Sequence, residues 1–219
     1  MKSIHPAWQR ISGPLDGWSS GHGWHCAVFA GIHGDEPDGM DAVSELLGVA
    51  PPEGWRLSVF PCLNAKGFAL RQREHPVHGD LNRLFWRNHS SATIRFLENF
   101  LHQDLDGLIS LHTDLESYGF YGYARGKIIS EEILRPCLDR VDKLVPINTG
   151  TVIDGFPAER GIIRDCFPGI LSPKGSSNFE IILESPGLLP VSLRTQSHLA
   201  AIRAILFEYG ILQAFAAGI

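Results

Sequence analysis

Residues 25–48 read HCAVFAGIHGDEPDGMDAVSELLG, and the fold class follows from the way this stretch changes its period. Residues 25–32 form a nearly unbroken apolar run, which suits a strand buried on both faces of a sheet. Beyond Pro37 the apolar residues Met40, Val43, Leu46 and Leu47 recur at threes and fours, the spacing of one helical face. Between the two stands a polar turn, His33-Gly34-Asp35-Glu36. Strand, loaded turn and helix in that order form the repeating unit of an α/β sheet covered by helices.

The alternation continues on both sides of this unit. Apolar runs of strand length occupy residues 55–63, 108–111, 120–124 and 179–183. Helical spacing marks residues 93–104, 130–144 and 191–215, the second of these opened by a Ser130 cap with Glu131 and Glu132 in its first turn. Residues 150–177 hold frequent Gly and Pro with no sustained period and read as loops. No repeat or low-complexity linker divides the chain. The expectation is a single α/β domain over residues 1–219, a mixed twisted sheet flanked by helices on both faces.

Composition excludes several classes of function. A chain of 219 residues, 44% hydrophobic and 20% charged, has the balance of an ordinary globular protein. Its net charge of −5, with both signs scattered, offers no basic stripe for nucleic acid, and Arg71 and Arg73 are too few to make one. The N-terminus lacks the pattern of a secretory signal, and no segment reads as a membrane span, so a soluble cytoplasmic protein is expected. Cys26, Cys62, Cys137 and Cys166 form no C-x-x-C pair, which removes zinc knuckles and dithiol redox motifs. There is also no G-x-S-x-G, G-x-G-x-x-G or Walker loop.

In an open α/β sheet, ligands gather beyond the carboxyl ends of the strands. His33 with Glu36, Asn64, His112 and Glu184 all stand at such ends, each directly after an apolar run. A catalytic zinc takes three nitrogen or oxygen ligands and leaves one position open, and two histidines with one carboxylate are a standard set. His33 and Glu36, three apart at the head of a helix, can reach one point, and His112 is the natural third ligand. A lone H-x-x-E is more often a capping pair. Ionisable groups at the ends of three buried strands tip the balance, because packing alone does not explain unpaired buried charge.

The ordered motifs Ala30-Gly31-Ile32-His33-Gly34-Asp35-Glu36-Pro37, Asn64, Arg73, Gly79-Asp80-Leu81-Asn82-Arg83, Leu111-His112-Thr113-Asp114 and Leu183-Glu184-Ser185-Pro186 span most of the chain. Together they resemble the zinc carboxypeptidase superfamily, and within it the succinylglutamate desuccinylase/aspartoacylase branch. The resemblance implies a Zn2+ held by His33, Glu36 and His112, with Glu184 as general base. Glu180 is its rival on the same strand face, but only Glu184 stands at the strand end with the family's small-Pro-Gly sequel. It further implies that Asn82 and Arg83 grip a substrate carboxylate, for which a planar guanidinium is suited. Arg73, favoured over Arg71 by its spacing to the Asn-Arg pair, would polarise the scissile carbonyl.

The implied activity is zinc-dependent hydrolysis of an amide bond next to a carboxylate, in a small peptide or an N-acyl amino acid. The rival from another class is a relative that keeps the fold and binds metal or a small carboxylate without turnover. Asp35 and Asp114 flank the ligands and are candidates either for orienting a histidine or for a simple turn role. Tyr118, Tyr121 and Tyr123 are available to contact substrate, and no motif selects among them. About 35 residues follow Glu184, room for one long helix, so the C-terminal β-domain of the long deacylases is expected to be missing. That leaves carboxypeptidase-like and peptidoglycan-peptide amidase activities open.

Overall fold

The computed structural model describes residues 3–126, 130–164 and 177–217. Ten strands form one sheet: β1 (Gln9–Arg10), β2 (Trp18–Ser20), β3 (Trp24–Phe29), β4 (Trp55–Phe60), β5 (Gly107–Asp114), β6 (Tyr121–Gly126), β7 (Val152–Ile153), β8 (Phe156–Glu159), β9 (Ile162–Arg164) and β10 (Phe179–Pro186). Their spatial order is β1-β2-β4-β3-β5-β10-β6-β9-β8-β7. The four central strands β4, β3, β5 and β10 run parallel, and β2 and β6 flank them antiparallel. Parallel neighbours require covered faces, which accounts for the largely apolar runs that mark β3 and the first half of β5.

Five helices supply the cover: α1 (Pro37–Leu47), α2 (Ala65–Leu70), α3 (Ala92–Phe100), α4 (Ser130–Val141) and α5 (Val191–Ala216). On one face, Val43, Leu46 and Leu47 of α1 join residues of α4 and α5 over Val28, Ile109, Leu111, Ile181 and Leu183. On the other face, Ile94, Leu97 and Phe100 of α3 pack with Leu81 and Phe85 over Phe29, Phe60 and Leu108. Helix α3 starts where it does because the Ser91 hydroxyl accepts from the Ile94 N–H at 3.3 Å. Side chains alternate faces along a strand, so Leu111 and Leu183 point to α1 and α5 while His112 and Glu184 point to the opposite face.

Three expectations need correction. Residues 152–164 are not loop: β7, β8 and β9 form two hairpins whose two-residue turns are Asp154-Gly155 and Arg160-Gly161. All four turn residues have positive φ, between 50° and 80°, the requirement of the tight hairpin turn that matches strand twist. Residues 165–176 lie outside the described residues, and so does Cys166. The second correction concerns α5, which is long and apolar enough to cross a membrane, with mean hydropathy 1.5 over its most apolar stretch. Its buried residues include Arg194 and His198, and it packs on α1 and α4. Third, β5 and β10 run on to Asp114 and Pro186, so His112 and Glu184 lie within the strands' last turns of pairing rather than just past them.

Candidate metal centre and cleft

The loaded turn after β3 is shaped by two glycines. Gly31 takes φ +62, a left-handed conformation that turns the chain out of the sheet. At Gly34 a Cβ would lie 2.1 Å from the Gly67 carbonyl carbon, so only glycine lets this turn press against α2. The Gly34 N–H donates to the Arg73 carbonyl at 3.2 Å, and the Asn64 side-chain amide donates to the same oxygen at 3.2 Å. Asn64 also caps α2 by accepting from the Gly67 N–H at 2.9 Å. Its work is therefore scaffolding: it fixes the segment that brings Arg73 to the turn. Arg71, the alternative, is the left-handed C-cap of α2, with φ 54.

Glu36 sits at the N-cap of α1 but makes no capping bond. Its carboxylate turns instead to both histidines, with Oε1 2.7 Å from His33 Nδ1 and Oε2 3.3 Å from His112 Nδ1. The two Nδ1 atoms are 3.3 Å apart. Three donor atoms from an early turn and a late strand thus converge, all buried and all within 4.8 Å of one another. An ion with bonds of about 2.0–2.1 Å in tetrahedral geometry has ligand atoms about 3.3 Å apart, so the donor set and its spacing fit a divalent cation. The Thr113 N–H and the Arg73 guanidinium, at 3.2 and 2.8 Å, hold the Glu36 carboxylate in place.

The outer nitrogens of both rings are also engaged. His33 Nε2 lies 3.3 Å from Asp80 Oδ1, and His112 Nε2 lies 3.0 Å from the Ser110 hydroxyl. Such partners fix ring orientation and leave the inner nitrogen for a metal. Neither Asp35 nor Asp114 fills this role: Asp35 Oδ1 has no partner among the described residues, and Asp114 accepts from the Tyr121 hydroxyl at 3.0 Å. Asp80 was visible in the Gly79–Arg83 stretch, but only the folded chain sets it against a residue 47 positions away.

These contacts divide the titration of the centre. Burial alone would lower the His33 pKa, but hydrogen bonds to Asp80 and Glu36 outweigh it and the net shift is upward. For His112, burial prevails over the same Glu36 and the pKa falls. Glu36 is held well below the usual carboxylate range despite its burial, by hydrogen bonds to His112 and His33.

Glu184 is the register partner of His112 on β5 and of Tyr121 on β6, so all three point to one face. It lines a cleft of ≈ 190 Å³ together with Glu36, Arg73, Thr113, Asp114, Leu115, Tyr121 and Asp154. Burial, and then the negative charges of Glu36 and Asp114, raise its pKa well above the ordinary value, and Arg73 opposes them. A cation at the adjacent centre would act in the same direction as Arg73. Glu180 is settled differently: it is buried four residues back along β10 and receives the Arg125 guanidinium at 3.1 Å. Of the three tyrosines, Tyr121 lines the cleft, Tyr123 donates to Asp154 at 2.7 Å, and Tyr118 is 72% exposed.

The fold therefore brings His33, Glu36, His112, Arg73 and Glu184 together. Asn82 and Arg83 are not among the residues lining the cleft. They occupy a 3-10 turn capped by Asp80, which accepts from the Asn82 N–H at 2.9 Å, and this places them beside His33. Asn82 is buried with its amide oxygen unpartnered among the described residues, and half-exposed Arg83 stands 3.8 Å from Asp80. Asp154, at the tip of the first hairpin, is a cleft residue that the loop reading of this region passed over. Its Asp-Gly turn was the available signal.

Nothing among curated proteins matches the chain. Among solved structures, a candidate metallopeptidase from Shewanella denitrificans OS217 superposes with TM-score 0.74 at 20% identity, covering 91% of this chain and 82% of that one. One from Shewanella amazonensis SB2B gives 0.73 at 21%, covering 91% and 85%. The mDAP-bound form of Helicobacter pylori Csd4, a D,L-carboxypeptidase, gives 0.60 at 18%, covering 85% of this chain and 51% of that one. At such identities the likeness is one of fold, the zinc carboxypeptidase-like α/β architecture. The model of the succinylglutamate desuccinylase/aspartoacylase catalytic domain matches residues 22–152, which include His33, Glu36, Arg73, Asn82, Arg83 and His112 and stop short of Glu184. With well over half of its length so matched, the chain belongs to the succinylglutamate desuccinylase/aspartoacylase catalytic-domain family.

Proposed function

We propose that this chain is a zinc-dependent hydrolase that cleaves an amide bond next to a carboxylate in a short peptide or an N-acyl amino acid. The observation that carries the reading is the convergence of His33 Nδ1, His112 Nδ1 and the Glu36 carboxylate, with Glu36 also lining a cleft that holds Glu184. His33, Glu36 and His112 would hold the ion, and two imidazoles with one carboxylate suit zinc, with cobalt or nickel also accepted by such a set. A divalent ion so held supplies Lewis-acid chemistry, acidifying water and polarising a carbonyl.

The chain's own groups then have defined tasks. Glu184 takes a proton from the attacking water and delivers it to the departing nitrogen, so that hydroxyl adds to carbon as the C–N bond breaks. Arg73 donates to the carbonyl oxygen as negative charge grows there. Asn82 and Arg83 hold the substrate carboxylate, the former by donating from its side-chain NH2 and the latter from its guanidinium. Between substrates, peptides are favoured by the Csd4 structures, which are described as tripeptide-bound and mDAP-bound. Acyl amino acids are favoured by the family's name.

The test is metal analysis of the purified protein, then a screen of short peptides and N-acyl amino acids with and without chelator. Turnover abolished by chelator and restored by Zn2+ is expected. Turnover indifferent to the chelator would overturn the reading, and bound metal with no turnover of any substrate would favour a binding relative instead.

A further inference from the structure

Behind the metal-ligand candidates, on the opposite face of the sheet, lies a buried polar cluster that the hydrolytic reading does not use. Asp38, Ser185 and His198 are 0% exposed, and Thr113 and Arg194 are nearly as deep. Asp38 Oδ1 accepts from the Thr113 hydroxyl at 2.8 Å and stands 3.5 Å from the Arg194 guanidinium. Its Oδ2 accepts from the Ser185 hydroxyl at 2.5 Å and stands 3.3 Å from His198 Nε2. The same His198 nitrogen lies 3.0 Å from the His112 carbonyl oxygen. Stability alone does not call for such a cluster, since well-packed apolar side chains often replace buried charge at no loss.

Its position along the chain is informative. Thr113 and Ser185 immediately follow His112 and Glu184, and the two are register partners on adjacent strands. Asp38 follows Glu36 by two residues, across Pro37 at the start of α1. One carboxylate is therefore joined, within two residues in each case, to a segment carrying Glu36, His112 or Glu184. The Thr113 N–H closes the circuit by donating to Glu36 itself at 3.2 Å.

We propose that Asp38 is a positioning residue whose carboxylate clamps the start of α1 to the tips of β5 and β10 and so sets the spacing of the metal-binding groups on the far face. The proposal rests on the metal reading above. Each carboxylate oxygen accepts from one hydroxyl, and each also has a nitrogen of Arg194 or His198 within 3.5 Å. An asparagine of the same shape would turn its NH2 toward two of these groups and leave donors opposed, so the clamp cannot be kept by shape alone.

The experiment compares wild type, Asp38→Asn, Ser185→Ala and, as a control in a separate buried hydrogen bond, Ser58→Ala, which removes the partner of His25 at 2.9 Å. Each is measured by circular dichroism melting, by Zn2+ affinity in competition with a chromophoric chelator, and by the visible absorption of the Co2+ form. Asp38→Asn is expected to weaken Zn2+ binding about 10–100-fold, the range for groups that orient ligands, and to shift the Co2+ bands. Ser185→Ala should do the same more weakly, and it decides the matter if Asp38→Asn fails to fold. Ser58→Ala should lower the melting temperature and leave affinity and spectrum unchanged. Wild-type affinity and spectrum in the folded Asp38 or Ser185 variants would overturn the proposal, as would an equal loss in Ser58→Ala. A wild type that binds neither ion would instead bring down the metal reading itself.

Discussion

Removing the charge at Asp80 gives the sharpest test of how the centre is held together. Its Oδ1 is 3.3 Å from His33 Nε2, and His33 is nearly inaccessible while Asp80 remains 20% exposed. A hydrogen bond to an ionised partner contributes about 1.5–3 kcal/mol when buried, and the partial exposure of Asp80 argues for the lower half of that range. At about 1.4 kcal/mol per tenfold, Asp80→Asn should weaken Zn2+ binding by about tenfold, because the amide oxygen can still accept from His33. Asp80→Ala also loses the bond from the Asn82 N–H at 2.9 Å and should weaken binding toward 100-fold. Competition against a chromophoric chelator at fixed pH measures both, and denaturant unfolding of the metal-free proteins checks that folding is intact. Folded variants with wild-type Zn2+ affinity would refute the claim that Asp80 orients His33.

Other consequences are as direct. Glu184→Gln should lower kcat by about 10²–10⁴-fold while the protein keeps its metal, because none of the three ligands is touched; retained turnover would remove Glu184 from the chemistry. Arg73→Ala should cost about 10²–10³-fold in turnover, again without metal loss, as read by metal analysis beside the rate. The third concerns pH and stability. His25 is buried, which lowers its pKa with help from Arg56, so the unfolded chain takes up a proton that the fold resists. Stability should be full above about pH 6.5 and fall as pH drops below it, and the melting temperatures of His25→Asn should depend less on pH over that window. Parallel pH profiles for the two proteins would contradict this.

Much of this site was legible in the sequence because it depends on local constraints. The apolar run before His33, the helical spacing after Pro37 and the lone His112 after an apolar strand each report burial and period, which a linear pattern can carry. The ordered motifs carried the family. The two X-Gly hairpins were also written in the chain, but lay among prolines and glycines where no period advertised the strands on either side. The helix at 191–215 was legible from its spacing, but length and apolarity alone do not separate a packed helix from a spanning one.

What the tertiary structure alone decided is which polar groups meet. Asn64 was drawn to scaffolding, Glu180 to Arg125, Asp80 to His33 and Ser110 to His112, because side-chain partners are chosen by distances between segments far apart along the chain. Strand register made Glu184 the neighbour of His112 and turned Thr113 and Ser185 to the other face toward Asp38. A sequence records the period that buries a strand; which strand lies beside it, and in what register, is settled only when the sheet closes its hydrogen bonds.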